Sequence, residues 1–365
     1  MQISKNTEQF KSRIQNLESN KNWKKLNNFL ENIDISFYKL KNFNDDLQVI
    51  NKNMFENICD DTWMGHCAKY QLKSGGKRFR AILALLASKI FELKKDVSYE
   101  IAMCCEFIHN ASLIHDDLQD RDLLRRGLPT IWNRFGDHTA INLGDFFISA
   151  SFEILSKIRV DPILKCQAIE ELSKTIKQTV KGQSVEILSR SDFNLKMGDY
   201  ESTSRAKTGG LISLPVKLAI ILSGSEYKED YFKSLYETGV AYQIQDDLSD
   251  FLGVKDRGLP GRDLKEGKMN ILIMHFIENA SQGEKFILQK FLKKRYDSIS
   301  EDEISFWLNE INLKGALDLS FLHLKKVSKN AIDISSKTDE KLSQIVSFVV
   351  SSIIKRMTKN IKKIK

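Results

Sequence analysis

Apolar residues recur every three or four positions along most of this chain, which is the spacing that puts side chains on one face of an α-helix. Phe107, Ile108, Ala111, Ile114 and Leu118 form one such series. The sequence has no run of alternating Val, Ile and Thr between turn residues, and its 4 Pro and 18 Gly leave room for long helices. The pattern predicts a single large all-α domain.

The most apolar segments are too short or too interrupted to cross a bilayer, so we interpret them as buried helices and expect no transmembrane segment. They cover residues 81–90, 214–222 and 345–354. Amphipathic segments in the C-terminal part are typical of core helices or dimer contacts. These cover residues 286–294, 317–332 and 342–357.

The start of the chain predicts an N-terminal helical extension of residues 1–45, followed by a helical domain of residues 46–365. Phe10, Ile14 and Leu17 recur at helical steps within a polar segment. This segment lacks the apolar core of a signal peptide and the Arg-rich, acid-poor face of a transit peptide. We therefore expect it to pack on the domain, and we expect no targeting role.

The charge of the chain changes this picture only locally. The net charge is +8, but 48 acidic residues lie among the basic ones and no nucleic-acid-binding motif accompanies them, so we expect no nucleic-acid partner. The basic end at residues 355–365 is interpreted as a frayed, solvated tail, with contact to anionic lipid as the alternative. Five cysteines without Cys-x-x-Cys spacing favour a cytoplasmic location.

A metal-binding pattern, Asp-Asp-Leu-Gln-Asp, occupies residues 116–120. Asp116 and Asp120 stand one helical turn apart, where like charges repel, and a hard divalent cation reverses that repulsion. Magnesium suits a sparse carboxylate pair because it fills its other positions with water and phosphate oxygens. Arg125 and Arg126 offer planar forks for the same phosphates. The alternative interpretation is a solvated acidic helix face.

A second copy of this spacing, Asp-Asp-Leu-Ser-Asp, occupies residues 246–250, and Gln243 lies one turn earlier on the same face. A repeated motif favours function over a solvated face. A third candidate is the segment at residues 75–80, Gly-Gly-Lys-Arg-Phe-Arg, which precedes an apolar helix. Glycines, free amides and basic side chains at a helix start make an anion site, with ordinary capping as the alternative.

In this order the motifs resemble those of the trans-isoprenyl diphosphate synthases, the polyprenyl synthetase family, over residues 68–268. Five further segments match that family's pattern: Gly144-Asp145, Gly182-Gln183, Lys207-Thr208, Tyr242-Gln243 followed by Asp246-Asp247, and Asp263-Leu264 followed by Gly267-Lys268. The resemblance implies a helical bundle of the isoprenoid synthase type with a central active-site cavity. It also implies a prenyltransferase that joins isopentenyl diphosphate to an allylic diphosphate, giving a longer all-trans prenyl diphosphate.

The resemblance also implies a role for each matching residue. The diphosphate of isopentenyl diphosphate is held by Lys77, Arg80, His109 and Arg126. The allylic diphosphate is held by Arg125, Lys207, Thr208, Gln243 and Lys268. Magnesium, three ions per active site, is held by Asp116, Asp117, Asp120, Asp246, Asp247 and Asp250. The residues expected to act in catalysis are Asp116, Asp120, Arg125, Lys207, Asp246 and Lys268.

Several positions depart from the family's pattern. Gly258-Leu259 stands where the family usually has Gly-Lys, so one lysine for the allylic phosphate is missing, and Arg257 or Arg262 is the candidate substitute. The departures elsewhere are Ala81 for a proline, Trp132 for a histidine, and Asn270 and Leu272 for a threonine and a proline. No aspartate is lost, so we expect a catalytic chain.

The length of the product is predicted from the residues before the first aspartates. Ser112 and Ala111 lie four and five positions before Asp116, respectively, where the family often builds the floor of the tail cavity, and both are small. The resemblance therefore implies geranylgeranyl diphosphate or a longer product. Phe146 and Phe147 offer an aromatic floor one turn deeper.

Two alternatives remain open from the sequence. A terpene cyclase of the same fold would have no need for Lys77, Arg80 and His109. A non-catalytic modulating subunit of a heteromeric prenyltransferase typically lacks an aspartate motif, whereas both are whole here. The resemblance favours a catalytic homodimer.

Overall fold

Helices form nearly all of the regular structure, and the all-α fold class is confirmed. The computed structural model describes residues 20–31, 33, 43–254 and 260–362. In chain order the helices are α1 (Lys21–Glu31), α2 (Asn44–Ile58), α3 (Trp63–Lys73), α4 (Phe79–Ile90), α5 (Lys95–Gln119), α6 (Ile131–Phe135), α7 (Asp137–Lys157), α8 (Pro162–Leu188), α9 (Met197–Ser204), α10 (Gly210–Leu222), α11 (Lys233–Phe251), α12 (Arg262–Lys265), α13 (Ile271–Asn279), α14 (Gln282–Leu292), α15 (Glu301–Leu313), α16 (Ala316–Thr338) and α17 (Glu340–Lys362). The shorter elements are strands β1 (Leu124–Arg125) and β2 (Leu128–Pro129), a π-turn (Arg205–Gly209) and 3₁₀ turns (Glu229–Phe232 and Tyr296–Ser298).

The described residues group into two compact units. The first-motif unit carries residues 116–120 and takes the described parts of residues 38–179 and 210–232. The second-motif unit carries residues 246–250 and takes the described parts of residues 1–37, 180–209 and 233–365. The division into an extension of residues 1–45 and a domain of residues 46–365 stays a prediction.

In the first-motif unit, α5 is the helix that fixes the first aspartates. It packs against α4 and α7. Its apolar residues, such as Ile101, Phe107 and Ile114, are almost completely buried. Full burial of such side chains stabilises the folded chain by about 1.5–3 kcal/mol each, so the last turn of α5 is held by a long packed stem.

A short β-hairpin follows α5. Strands β1 and β2 pair antiparallel, with Arg125 opposite Leu128. Arg126 and Gly127 form the two-residue turn, and both have positive φ, 54° and 78°. This is the geometry of a type I′ turn, whose twist matches that of the paired strands. The hairpin presents Arg126 at its tip.

In the second-motif unit, α11 packs against α16, α17 and the π-turn. Helix α1 packs on α16, where the rings of Trp23 and Phe321 lie 5.4 Å apart. Helices α14 and α15 begin with capping boxes built on Ser281 and Ser300. Such boxes satisfy amide donors that have no partner inside the helix.

The other predictions from the pattern can be compared with these elements. Residues 81–90, 214–222 and 345–354 fall in α4, α10 and α17 and are mostly buried. Across the described helices, none combines the length and the apolarity needed to span a bilayer. The series Phe10, Ile14 and Leu17 lies outside the described residues.

The five cysteines are all free thiols. Cys67, Cys104 and Cys105 are buried, Cys59 is partly buried, and Cys166 on α8 is exposed. Burial raises the pKa of the Cys59, Cys67 and Cys105 thiols. This is the arrangement expected from the absence of a disulfide pattern in the sequence.

Candidate active site

The basic segment and the hairpin meet in the first-motif unit. Arg126 Nη1 donates a hydrogen bond to the carbonyl oxygen of Gly75. A Cβ atom on Gly76 would lie 2.9 Å from Arg126 Nη1, and Gly76 has a φ of +143°. Only glycine combines this backbone conformation with such a close approach. Two segments that lie 51 residues apart in sequence therefore form one basic surface.

The basic residues of this segment divide between the interior and the exterior. Lys77 is exposed, whereas Arg78 and Arg80 are buried. Arg78 Nε donates to Asn51 Oδ1 at 2.8 Å, and its Nη1 lies 3.4 Å from Glu106 Oε2. Arg78 thus supports the start of α4. The sequence prediction named Lys77 and Arg80 as substrate contacts and did not name Arg78.

His109 lies on α5 in the field of these arginines. Burial lowers the pKa of His109 well below its usual value, and nearby guanidinium charges lower it further; they belong to Arg80, Arg126, Arg125 and Arg78. The ring is therefore neutral at pH 7. Its Nδ1 is buried and has no hydrogen-bond partner among the described residues. A concentration of positive charge with an unused ring nitrogen is the chemistry of an anion site.

The first aspartates stand where α5 ends. Asp116 and Asp120 are both half-buried, and the amide of Asp120 donates to the carbonyl oxygen of Asp116 at 2.8 Å. The structure therefore keeps them one turn apart, as the spacing predicts. The helix ends at Gln119, so Asp120 is its C-cap.

Asp117 has a different environment from its neighbour Asp116. It is buried, and both of its carboxylate oxygens accept hydrogen bonds from Arg125 Nε at 2.8 Å. Arg125 Nη2 also donates to Asp117 Oδ1, at 2.5 Å. The pair ties the hairpin to α5. Asp117 as a metal ligand and Arg125 as a diphosphate contact stay predictions, and the pairing with Arg125 is what sequence reasoning missed.

His115 approaches α7 very closely. A Cβ atom on Gly144 would lie 2.0 Å from His115 Nε2. The same nitrogen lies 3.4 Å from the carbonyl oxygen of Ile141 and 3.9 Å from Asp145 Oδ1. The Gly144-Asp145 motif thus has a local reason, because the glycine makes room for the ring and the aspartate lies beside it.

Residues predicted to set product length lie on α5 and α7. Ala111 is buried and Ser112 is half-buried. Phe147 is fully buried and its ring lies 5.6 Å from that of Phe107, while Phe146 is half-buried. Phe107 stands one turn before Ala111. Sequence reasoning used Phe107 only as a helix marker, although its spacing from Ala111 was readable.

In the second-motif unit, Asp247 is buried and accepts three hydrogen bonds. Tyr200 Oη donates to its Oδ2 at 2.7 Å, Gln243 Nε2 to its Oδ1 at 2.8 Å, and the Ile271 amide to its Oδ2 at 3.0 Å. Burial, followed by the charge of Asp247, raises the pKa of Tyr200 well above its usual value, so the phenol remains a donor. Sequence reasoning did not find Tyr200.

The other aspartates of this motif differ in exposure. Asp246 is half-buried, as Asp116 is, whereas Asp250 is buried and accepts a hydrogen bond from the Asp263 amide at 3.1 Å. Asn270 Nδ2 lies 3.3 Å from Asp263 Oδ2. These bonds join α11 to the segment that leads into α13.

Lys207 and Thr208 lie on the π-turn. Thr208 Oγ1 donates to Gln243 Oε1 at 3.1 Å, and Lys207 Nζ lies 3.0 Å from Glu186 Oε1. A Cβ atom on Gly182 would lie 2.8 Å from the Lys207 amide nitrogen. A π-turn within helical structure is frequently found at functional sites. The structure thus brings Thr208, from one predicted motif, together with Gln243 and Asp247, which belong to another.

Lys268 lies beside an acidic partner in the same unit. Its Nζ is 2.7 Å from Glu266 Oε2, while Arg262 Nε donates to Glu266 Oε1 at 2.7 Å. Arg262, a candidate substitute for the missing lysine, therefore has a carboxylate partner within its own helical turn. The other candidate, Arg257, and Leu259 itself lie outside the described residues.

Three departures from the family's pattern make specific hydrogen bonds here. The Ala81 amide donates to Glu106 Oε1 at 3.1 Å, which a proline could not do because it has no N–H. Trp132 Nε1 donates to the Asp122 carbonyl oxygen at 2.8 Å. Asn270 caps α13 by accepting from the Ile273 amide at 3.1 Å. These residues are thus accommodated by the local structure.

The donor set can be tested against a metal ion. Among the described residues, no group of three or more His, Cys, Asp or Glu side chains converges to enclose one. The first-motif unit offers half-buried Asp116 and Asp120, and the second-motif unit offers half-buried Asp246; their carboxylate oxygens are the ligand type that magnesium prefers. Because magnesium keeps water and phosphate ligands, a sparse set of this kind fits it better than a metal that requires a closed protein cage.

The all-α fold, two aspartate motifs and a basic anion site define the class of helical proteins that handle diphosphate substrates. The chain belongs to the polyprenyl synthetase family, whose sequence profile matches residues 61–309. That match includes both aspartate motifs and every residue assigned above to substrate or metal.

Known proteins show the same relationship. A geranylgeranyl diphosphate synthase of Sulfolobus acidocaldarius is 30% identical over 313 residues, covering 81% of this chain and 92% of that protein. A geranylfarnesyl diphosphate synthase of Aeropyrum pernix is 29% identical over 315 residues, covering 83% of this chain and 97% of that protein. The crystal structure of geranylgeranyl pyrophosphate synthetase from Pyrococcus horikoshii matches with a TM-score of 0.73 and 26% identity, covering 87% of this chain and 98% of that one.

Proposed function

We propose that this protein is a magnesium-dependent trans-prenyltransferase that condenses isopentenyl diphosphate with an allylic diphosphate. The product is a longer all-trans prenyl diphosphate, geranylgeranyl diphosphate or longer, as the names of the relatives from Sulfolobus and Aeropyrum suggest. The observation that carries the proposal is the anion site at His109, in a family member that retains both aspartate motifs.

Lys77, Arg80, His109 and Arg126 bind the diphosphate of isopentenyl diphosphate in this proposal. Neutral His109 offers a ring nitrogen as a hydrogen-bond partner without adding charge, while the arginines supply the positive field. A terpene cyclase would have no use for this basic set, so its assembly around His109 favours chain elongation.

The allylic diphosphate is bound by Lys207, Thr208, Gln243 and Lys268, together with Arg125. Asp117 occupies Nε and Nη2 of Arg125, so Nη1 is the donor that this arginine directs to a phosphate oxygen. Fixed positive groups of this kind stabilise the charge that develops on a departing diphosphate, which is usually the largest contribution to catalysis.

Asp116, Asp120 and Asp246 are the residues that we expect to hold magnesium, with Asp117, Asp247 and Asp250 as the remaining candidates. Bound magnesium would neutralise the diphosphate as the allylic carbon–oxygen bond breaks. We further propose three ions per active site, a homodimer and a cytoplasmic location. Membership of the polyprenyl synthetase family is what supports these proposals. The two intact aspartate motifs favour a catalytic chain over a modulating subunit.

The test is incubation of the purified chain with magnesium, radiolabelled isopentenyl diphosphate and each allylic primer in turn, followed by sizing of the products. We expect condensation by the wild-type chain and a loss of at least about a hundredfold in kcat for Asp116→Ala and for Asp246→Ala, since each removes metal stabilisation worth several kcal/mol. Asp302→Ala, on the exposed start of α15, is the matched control and should keep full activity.

Absence of condensation with every primer would contradict the proposed function. Full activity of both aspartate variants would instead contradict the metal assignment while leaving the reaction in place. Circular dichroism on each variant shows whether the helical fold is intact, so that a folding defect is not mistaken for a catalytic one.

A further inference from the structure

We propose that Arg205 is a positioning residue that fixes Lys207 and Thr208 for the allylic diphosphate; this role rests on the proposed function. Arg205 is the first residue of the π-turn and stands two positions before Lys207. Its Nε donates to Glu237 Oε1 on α11 at 2.6 Å, and its Nη2 donates to Glu201 Oε2 on α9 at 2.7 Å. One guanidinium thus connects the π-turn to two helices.

Both carboxylates that receive Arg205 are themselves held by α16. Glu201 Oε1 lies 3.0 Å from His323 Nε2, and Asn330 Nδ2 lies 3.4 Å from Glu237 Oε2. Burial acts to raise the pKa of Glu201, but Arg205 and His323 outweigh it and lower that pKa. Glu201 therefore stays ionised at neutral pH. The clamp consists of Glu201, Arg205 and Glu237, and its carboxylates are anchored on α16.

The clamp sets the register between the π-turn and α11. A Cβ atom on Gly239 would lie 2.3 Å from Gly209 Cα, so the two backbones touch. Thr208 bonds to Gln243 six residues beyond Glu237 on the same helix, and Gln243 in turn bonds to Asp247. The bond from Arg205 to Glu237 fixes the start of the π-turn on α11. Loss of Arg205 would therefore let the π-turn shift along α11 and misalign Thr208 with Gln243.

An arginine is needed for this geometry. Its planar fork can meet two carboxylates in fixed directions, whereas a lysine offers one compact charge on a flexible stem. Arg205 is about one third exposed, and the bonds run between different elements of the second-motif unit, so the clamp is accessible to substitution without loss of the core. The sequence gives no sign of it, because Glu237 lies outside every recognised motif.

The experiment compares Arg205→Met and Arg205→Lys with the wild-type chain. Binding of farnesyl thiolodiphosphate, a non-ionising allylic analogue, is measured by calorimetry in magnesium, and the KM values for farnesyl diphosphate and isopentenyl diphosphate are measured separately. We expect Arg205→Met to weaken analogue binding and raise the primer KM by about tenfold to a hundredfold, the size of effect caused by misplacement of about 1 Å. The KM for isopentenyl diphosphate should stay unchanged, and Arg205→Lys should restore part of the loss.

Lys294→Met is the matched control. It removes a cation paired with Glu303 between α14 and α15 of the same unit, without contact to the π-turn. Analogue binding should match the wild type in this variant. A further arm combines Arg205→Met with Glu237→Met, and the two effects should not add, because Arg205→Met already removes the Arg205–Glu237 bond that Glu237→Met would break.

Unchanged analogue binding in Arg205→Met would overturn the positioning role, and so would equal rises in both KM values. The calorimetric arm needs no turnover, so it decides the role of Arg205 even with an inactive chain. An inactive wild-type chain that binds the analogue through Arg205 would contradict the proposed function alone.

Discussion

The second aspartate of each motif differs physically from the first. Asp117 and Asp247 are buried and saturated with hydrogen bonds, from Arg125 in one unit and from Tyr200, Gln243 and a backbone amide in the other. Asp116 and Asp246 are half-buried. A buried carboxylate needs such partners, because burying an unpaired charge is very costly. The repeated pattern thus separates a buried, anchored aspartate from a half-buried one, and the half-buried one is the aspartate that we propose holds magnesium.

His109 makes the stability of the fold depend on pH. Its folded-state pKa lies well below the value near 6.5 of an unfolded histidine. Above pH 6.5 the ring is neutral in both states, but below it the unfolded chain binds a proton that the native chain does not. The free energy of unfolding should therefore fall with decreasing pH, by up to about 1.4 kcal/mol per pH unit from this residue.

Urea denaturation between pH 7 and pH 5 measures this effect. His109→Asn cannot titrate, so its unfolding free energy should depend less steeply on pH than that of the wild type. His66→Asn, at an exposed position, serves as the control and should keep the wild-type slope. Identical slopes for all three proteins would mean that His109 is not the neutral, buried group described above.

Arg126 adopts a backbone conformation that suits glycine better than arginine. Its φ of 54° is in the left-handed region, which costs a residue with a side chain about 1–2 kcal/mol. Arg126→Gly and Arg126→Ala both remove the guanidinium, and only glycine removes the strain. We expect the glycine variant to be the more stable by about 1 kcal/mol in urea denaturation. Both should weaken binding of isopentenyl diphosphate equally, and equal stability of the two would contradict the strain.

Among the elements, the π-turn and α11 depend on two glycines at their contact. The Cβ of Gly239→Ala would overlap the backbone of Gly209, which cannot move aside as a side chain can. We expect this variant to lose about 1–3 kcal/mol of unfolding free energy through overpacking. Gly283→Ala in α14, where no atom lies within 4 Å of the added methyl, should gain up to about 1 kcal/mol. Opposite signs in thermal unfolding confirm the contact, while equal effects would refute it.

The sequence predicted the helices that carry the motifs because their buried faces repeat with the helical period. It could not predict the hairpin, since strands of two residues are too short to show alternation. It also missed the pairing of Arg125 with Asp117 and the contact of Tyr200 with Asp247. These depend on side-chain direction and on residues far apart in sequence, which spacing along one helix does not reveal.

For the whole molecule, composition and motif order were sufficient to predict an all-α member of the polyprenyl synthetase family. They were not sufficient for the details of local accommodation. Ala81, Trp132 and Asn270 depart from the family's pattern, yet each of them makes a specific hydrogen bond to its surroundings. A motif comparison registers such positions only as mismatches.

The length of the prenyl product depends on the shape of the whole cavity. Measuring it tests whether the predicted residues form the floor of that cavity. Ala111→Tyr should shorten the product by filling space, and Phe146→Ala or Phe147→Ala should lengthen it by removing a ring. Phe147 packs on Phe107, so its loss is also expected to reduce stability by about 3–5 kcal/mol. Chromatography of the dephosphorylated products from folded variants decides the matter. Unchanged length in all three would place the floor elsewhere.

The distribution of the five thiols has a practical consequence for observing this reaction. Only the thiolate form of a cysteine reacts with maleimide reagents, and burial suppresses that form in Cys59, Cys67 and Cys105. Cys166 is the exposed thiol, on α8 and outside both aspartate motifs. A fluorescent dye should therefore attach selectively at this position in the unaltered chain. Labelled protein would permit single-molecule measurements without any substitution in the residues that bind substrate.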